Sequence, residues 1–163
     1  MEIKIAKKEN AELILHFIKA LAIAEGFPFE VTVTQEDLEN NLLSSTSNAE
    51  AIIFYVNNKP CGFAVYYYTF STTTGQRGLH LDDLYIEPAY QGQGFGKQVL
   101  VYLSHLAIEN QCARFEWWAL KTNDAAIKFY KNIGAHKLEE ISVFRLDLQG
   151  ILSLSDGEPI SNQ

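Results

Sequence analysis

The sequence predicts an α/β domain built on a mixed, mostly antiparallel central sheet of about seven strands flanked by about four helices. Three observations carry this. Runs rich in β-branched and aromatic residues, Ala51 to Val56, Gly62 to Phe70 and Gly78 to Ile86, follow one another with only turn-forming stretches between them. Downstream the pattern alternates: helical spacing, a strand, then helical spacing again. Between these halves lies a glycine-rich turn, Gln91 to Lys97.

In order along the chain, Ile3 and Ile5 alternate with charged residues in a short first strand. Asn10 stands where it would cap a helix whose apolar positions Leu13, Phe17, Leu21 and Ala24 recur at helical spacing, and Gly26 and Pro28 end it. Thr34 followed three residues later by Asp37 is close to a capping box, so Gln35 to Leu43 reads as a second, short helix. Ser44 to Asn48 is a polar loop. The three β-rich runs, broken by Asn57-Asn58 and by Ser71 to Gln76, form an antiparallel meander. A helix over Phe95 to Ile108, a strand over Ala113 to Leu120 and a helix over Asp124 to Ile133 follow, with a strand pair around His136 to Leu138 and Ile141 to Leu148. The sequence organises as one domain over residues 1–150 with a polar tail, 151–163, containing Gly157 and Pro159.

A glycine-rich turn that opens a helix presents free backbone N–H groups to an anion, and its glycines let a phosphate come close. Spacing excludes two familiar phosphate sites. The dinucleotide fingerprint needs a third glycine where Lys97 stands, and the P-loop needs glycine at Gln91 and Ser or Thr at Gln98. What remains is Gln-x-x-Gly-x-Gly between a strand and a helix. By itself this reads either as a diphosphate site or as a tightly packed turn.

Composition narrows the class. At 163 residues and 47% apolar content the chain suits one domain with a substantial core. A net charge of −7 argues against a protein that tracks nucleic-acid phosphates, and leaves room for a cationic substrate. Cys61 and Cys112 form no paired framework and no charged-then-apolar signal opens the chain, so a soluble cytoplasmic setting is expected. No apolar run approaches the roughly 20 residues that span a bilayer, so no membrane role is expected. His16, His80, His105 and His136 show no metal-ligand spacing, and no metal is expected.

Leu81-Asp82-Asp83-Leu84-Tyr85-Ile86 followed by Tyr90-Gln91-Gly92-x-Gly94-x-Gly96 resembles the central strand and pyrophosphate loop of the GNAT acetyltransferases, most closely the diamine group that acts on spermidine, spermine and thialysine. Asn123-Asp124-x-x-Ile127-x-Phe129-Tyr130-Lys131-x-x-Gly134-Ala135 resembles that group's next block at the same spacing, and Gly62-Phe63-Ala64 with Tyr66 and Tyr67 its third strand. The resemblance covers roughly residues 2–148 and implies the GNAT fold, acetyl-coenzyme A as co-substrate, and a homodimer, which the apolar stretch Phe63 to Phe70 also suggests.

Acetyl transfer to an amine makes three chemical demands. An alkylammonium with a pKa near 10.4 is only about one part in a thousand free base at pH 7.4, so a carboxylate that removes a proton lowers the barrier. Asp82 matches the family's acidic residue, shortened here from Glu. Asp83 points to the opposite side of a regular strand, unless a bulge intervenes. Second, an aimed backbone N–H stabilises the developing oxyanion. The resemblance gives that role to the main chain of Leu84, Tyr85 and Ile86, which also holds the pantetheine arm. Third, the departing thiolate takes a proton, for which the resemblance offers Tyr130. The diphosphate falls to Gln91, Gly92, Gln93, Gly94, Phe95, Gly96 and Lys97, and the rest of the donor to Asn123, Ala126 and Tyr130.

For the acceptor, Glu25 matches an acidic residue that contacts the amine, and Glu116 and Trp118 stand on a strand that reaches the same cavity, with an aromatic face suited to a cation. An aromatic neighbour is replaced by Ala24 and an acidic pair by Pro28 and Phe29, leaving Glu30 as the next carboxylate. This favours a shorter amine over a long polyamine. The functional expectation is direct N-acetyl transfer to a small cationic amine, with a peptide amine acetyltransferase and a non-catalytic acetyl-coenzyme A sensor as the alternatives.

Overall fold

The computed structural model describes residues 1–26 and 30–157. The chain divides into two compact units, Met1–Asn123 and Asp124–Gln163. Pro28 and Phe29, proposed above to reshape the acceptor entrance, and Pro159 of the tail lie outside the described residues.

The first unit carries a five-stranded sheet in the order β1-β2-β3-β4-β5, with β1 Glu2–Ile5, β2 Ala49–Val56, β3 Lys59–Ser71, β4 Gln76–Ile86 and β5 Cys112–Trp117. The first four strands pair antiparallel and β4 with β5 pairs parallel. Its helices are α1 (Ala11–Glu25), a short α2 (Gln35–Asp37) and α3 (Phe95–Glu109). The meander is therefore as the sequence has it. Asn57 and Asn58 both adopt left-handed backbone, with φ of 50° and 61°, and close the β2–β3 hairpin in the way asparagine tolerates best.

Both faces of β2, β3 and β4 are covered, which is why these strands read as nearly continuous apolar runs. On one face Ala11, Ile14 and Phe17 of α1 pack with Leu38, Ala51, Ile53, Phe63, Val65 and Tyr85. Phe17 stacks on Phe63 at 5.9 Å and tilts against Tyr85 at 6.0 Å. On the other face Ile52, Ala64, Tyr66, Leu79 and Leu81 are buried, as are Val99, Leu100, Leu103 and Ala107 of α3. Since Phe63, Val65 and Tyr66 belong to this interior, the apolar character of β3 is satisfied within the unit and leaves Phe70, 64% exposed, as its outward member.

Several local expectations are revised. Asn10 does not cap α1 with its side chain; its Oδ1 instead accepts from the N–H of Lys7 at 2.9 Å. The Thr34–Asp37 capping box forms as expected, with Asp37 N–H donating to Thr34 Oγ1 at 3.1 Å and Thr34 N–H to Asp37 Oδ2 at 2.9 Å. The helix it opens lasts three residues before passing into a π turn over Leu38–Leu42, where the N–H of Leu43 donates to the carbonyl of Leu38.

In the second unit α4 (Asp124–Asn132) forms as expected, and the N–H of Ala135 closes its end on the carbonyl of Tyr130 at 3.0 Å. The strands expected around His136 to Leu138 and Ile141 to Leu148 are not formed, so among the described residues the sheet has five strands rather than seven, and α5 (Leu148–Ser155) makes a fifth helix. Alternation produces a strand only where a partner meets its backbone groups. Asp147 tips the balance at the end of the segment: its Oδ1 accepts from the N–H of Gly150 at 2.8 Å and caps α5, where Leu148, Ile151 and Leu152 recur at helical spacing. α5 thus runs into what composition alone marks as tail.

Candidate active site

The register of β4 against β3 breaks at the acids. Leu81 lies opposite Tyr66 and Asp83 opposite Val65, so Asp82 is an extra residue, a β-bulge. The bulge turns the parity of the strand. Asp83 joins the face that carries Val65 and Tyr85, and His80, opposite Tyr67, comes to the same face. Asp82 stays exposed while Asp83 is largely withdrawn from solvent, and burial, the adjacent Asp82 and then Glu25 push its carboxyl up to about 6. Glu25, at the last turn of α1, is itself raised by partial desolvation. Three acids thus converge where the end of α1 meets β4.

The bulge is the exception allowed for above, and with it the regular-strand parity no longer separates Asp83 from the site. A signal for this exists in the sequence. Leu79 and Leu81 are two apart, and so are Leu84 and Ile86, but Leu81 and Leu84 are three apart, the mark of one inserted residue.

Beyond the bulge β4 parts from β5. The parallel register ends at Leu81 opposite Trp117, while β4 continues through Leu84, Tyr85 and Ile86, paired with Ala64, Phe63 and Gly62 of β3. That leaves the β5 side of these three residues without a strand partner among the described residues, and an extended ligand can meet the main chain there. The glycine loop lies just after. Gln91 Nε2 donates to the carbonyl of Ile86 at 2.7 Å and Gln93 Nε2 to that of Ala89 at 3.1 Å, so both glutamines brace the loop. Gly92 and Gly94 have φ of 73° and 80°, a left-handed backbone that glycine adopts without strain. No side chain caps α3, and its first helical bond runs from Gln98 N–H to Gly94, so the N–H groups of Phe95, Gly96 and Lys97 precede it. A Cβ at Gly92 or Gly94 would meet only open space. Uncapped donors, an open approach and the positive end of the helix together fit a diphosphate.

On the other side of the acids, His80 is stacked on Tyr67 with ring centroids 4.9 Å apart, and Trp118 meets it edge-on at 5.0 Å. Glu116 stands opposite His80 on β5 and is paired with Arg114 at 2.9 Å. The fifth strand stops at Trp117, one residue short of Trp118, which is 57% exposed. Trp117 turns to Phe115, with ring centroids 5.0 Å apart. Burial lowers the pKa of His80 against the opposing pull of Asp82 and Glu116, and burial with the charge of Asp82 raises that of Tyr67. His80 Nε2 is buried with no hydrogen-bond partner among the described residues, a state that typically costs about 1–3 kcal/mol. His80 and Tyr67 were not singled out as site residues by their types, because a histidine without metal spacing and a strand tyrosine read as core.

The remaining candidates belong to other elements. Asn123 closes the first unit, its N–H on the carbonyl of Leu120 at 3.0 Å. Ala126 and Tyr130 belong to α4 of the second unit and, four residues apart, share one face of it. A concavity of about 280 Å³ beside β1 and β2, lined by Ile5, Leu42, Ser47 and Glu50 among others, is two strands away from the acids and offers no comparable chemistry.

Comparison with known proteins gives the family and the fold. Residues 16–135 match the model of the acetyltransferase (GNAT) family. The chain is 29% identical over 146 residues to thialysine N-epsilon-acetyltransferase of Sus scrofa, covering 85% of each chain. It is 30% identical to the Caenorhabditis elegans protein of the same name, over 95% of this chain and 97% of that one. Among solved structures, an integron cassette protein from the mobile metagenome of V. cholerae superposes with a TM-score of 0.79 at 29% identity, covering 94% of this chain and 96% of that one. With a family match over residues 16–135, most of its length, the chain belongs to the GNAT family and is an N-acetyltransferase.

Proposed function

We propose that this enzyme transfers the acetyl group of acetyl-coenzyme A directly to a primary amine of a small cationic acceptor: a diamine, a polyamine or a lysine analogue. The observation that carries the reading is the acid pair created by the bulge, Asp82 exposed and Asp83 pushed up to about 6, with Glu25 beside it. Such a cluster attracts a cation and can lodge one proton near neutral pH. Relatives named for thialysine support a lysine-like or diamine acceptor.

Acetyl-coenzyme A supplies an activated carbonyl and a thiolate leaving group. The first-turn N–H groups of Phe95, Gly96 and Lys97, reached across Gly92 and Gly94, receive its diphosphate, with Gln91 and Gln93 holding the loop. The unpaired side of Leu84, Tyr85 and Ile86 takes the extended arm, assisted by Asn123 and Ala126. Asp82 removes the proton that makes the amine nucleophilic, and Asp83 shares it as the second half of a coupled pair. Glu25, Glu116 and Trp118 hold the cationic acceptor. Tyr130 returns a proton to the departing sulfur, and at a thiol pKa near 8.5 that transfer is undemanding.

The test is free-thiol release from acetyl-coenzyme A against a panel of short diamines, polyamines, thialysine, lysine and short peptides, with calorimetry for donor binding. Saturable release with diamines or lysine analogues is expected. Release with peptides alone would reassign the acceptor, and no binding of acetyl-coenzyme A would end the proposal.

A further inference from the structure

His80 has no part in the chemistry above. Its ring is 5% exposed and its Nε2 is buried without a partner among the described residues, although the ring edges onto the exposed Trp118 and shares a sheet face with Asp83. A carboxylate cluster draws in an ammonium but does not fix the direction of its N–H bonds. A single lone pair in a rigid aromatic slot does.

We propose that His80 is a positioning residue for the acceptor: in the slot between Tyr67 and Trp118 its Nε2 accepts a hydrogen bond from an N–H of the acceptor amine and so orients that amine beside Asp82. This rests on the acetyl-transfer reading. The groups around the ring come from every adjoining strand: the Tyr67 phenol on β3, Asp82 on β4, and Glu116 with its partner Arg114 on β5, while Asp83 and Glu25 complete the acidic side. Burial prevails over the two carboxylates and keeps the imidazole neutral near neutral pH, as an acceptor must be. When the ring takes a proton in acid it loses the lone pair and gains a charge that repels the amine.

Three measurements decide it. His80→Phe keeps the aromatic packing and removes the acceptor; KM for the amine should rise at least about tenfold, with kcat changed less and acetyl-coenzyme A affinity unchanged. His80→Gln restores a neutral acceptor that does not titrate; KM at pH 7.5 should return to within about threefold, and the acid rise of KM should shrink to the part that protonation of Asp83 contributes. In the wild-type protein with coenzyme A bound, 1,4-diaminobutane should move the His80 imidazole nitrogen resonance and lower its pKa. An unchanged KM in His80→Phe, or an imidazole signal indifferent to the diamine, overturns the proposal. If His80→Phe fails to fold, an acid rise of KM in His80→Gln as steep as in the wild type overturns it as well. A wild-type enzyme inert toward every amine would defeat the acetyl-transfer reading and this one together, whereas an active wild type matched by His80→Phe defeats this one alone.

Discussion

Asp83 and Val65 stand opposite one another across β4 and β3, and this pairing places a carboxyl group on the apolar face packed by α1. An ionised carboxylate is poorly accommodated there, which is why its pKa rises to about 6. The folded state therefore binds this proton more tightly than the unfolded chain. Stability from this group is greatest below the ordinary carboxylate pKa of about 4 and is lost as pH rises through about 6. Asp83→Asn should raise the thermal stability at pH 7.5 by on the order of 2 kcal/mol, with the gain vanishing at pH 4. Thermal melts at both pH values check this, and a variant no more stable than wild type at pH 7.5 would show that Asp83 is not strained by its surroundings.

The partner acid is expected to act on rate rather than stability. Asp82→Asn leaves an exposed amide on the bulge, so the fold should be unaffected within about 0.5 kcal/mol. kcat/KM should fall by about 100-fold, most steeply in the acid limb where free amine is scarcest. A pH–rate profile parallel to wild type with no loss would remove Asp82 from the chemistry.

The parts of this molecule readable in the sequence are those whose cause is local. The hairpin at Asn57-Asn58, the Thr34–Asp37 box and the helix after Gly94 each follow from a few neighbouring residues. The bulge was legible only in part: the three-residue step from Leu81 to Leu84 signals it, yet its consequence for Asp83 depends on which face α1 covers. The slot around His80 was not legible at all, because it joins Tyr67, His80 and Trp118 from three separate segments, and a single register shift decides whether they meet. The failed strands teach the converse. Ile141, Val143 and Phe144 offer a strand-like run, but backbone pairing must come from elsewhere, and Phe144 is left 91% exposed.

At the donor site, Gly94→Ala forces a Cβ into left-handed backbone at φ 80°, at a cost of about 1–2 kcal/mol, without a clash because open space surrounds the position. The loop should relax away from this geometry. Affinity for acetyl-coenzyme A should drop at least about tenfold while the amine KM is little changed. Equal donor affinity by calorimetry would place the diphosphate elsewhere.

Tyr130→Phe should lower kcat by about 100-fold at neutral pH, with donor binding intact. A deficit in protonating the leaving thiolate, as proposed for Tyr130, should shrink with an acetyl thioester of a more acidic thiol. A variant equally impaired with both donors would point to a structural role for the phenol.

Gly62 permits a close approach of β3 to β4: an added Cβ would collide with the carbonyl oxygen of Tyr85 and reach the Phe54 ring at 3.1 Å. Gly62→Val should destabilise the first unit by about 2 kcal/mol or more and disturb the strand end at Tyr85 and Ile86. Urea unfolding measures it; an unchanged midpoint would mean that the strands part there at no cost.

The divergence of β4 from β5 after Leu81 gives the sheet an edge in its interior. Edges are ordinarily where β proteins risk recruiting foreign strands. Here the stretch without a β5 partner is five residues long, Asp82 to Ile86, and ends at a turn fastened by Gln91 to the carbonyl of Ile86, too brief to template another chain. On the proposed reading, recognition through main-chain atoms leaves the side chains of Leu84 and Ile86 free of that task, while Tyr85 is held by the core against Phe17. An enzyme built on that reading can drift toward new amines through neighbouring side chains while the main chain proposed to hold the acyl donor stays as it is.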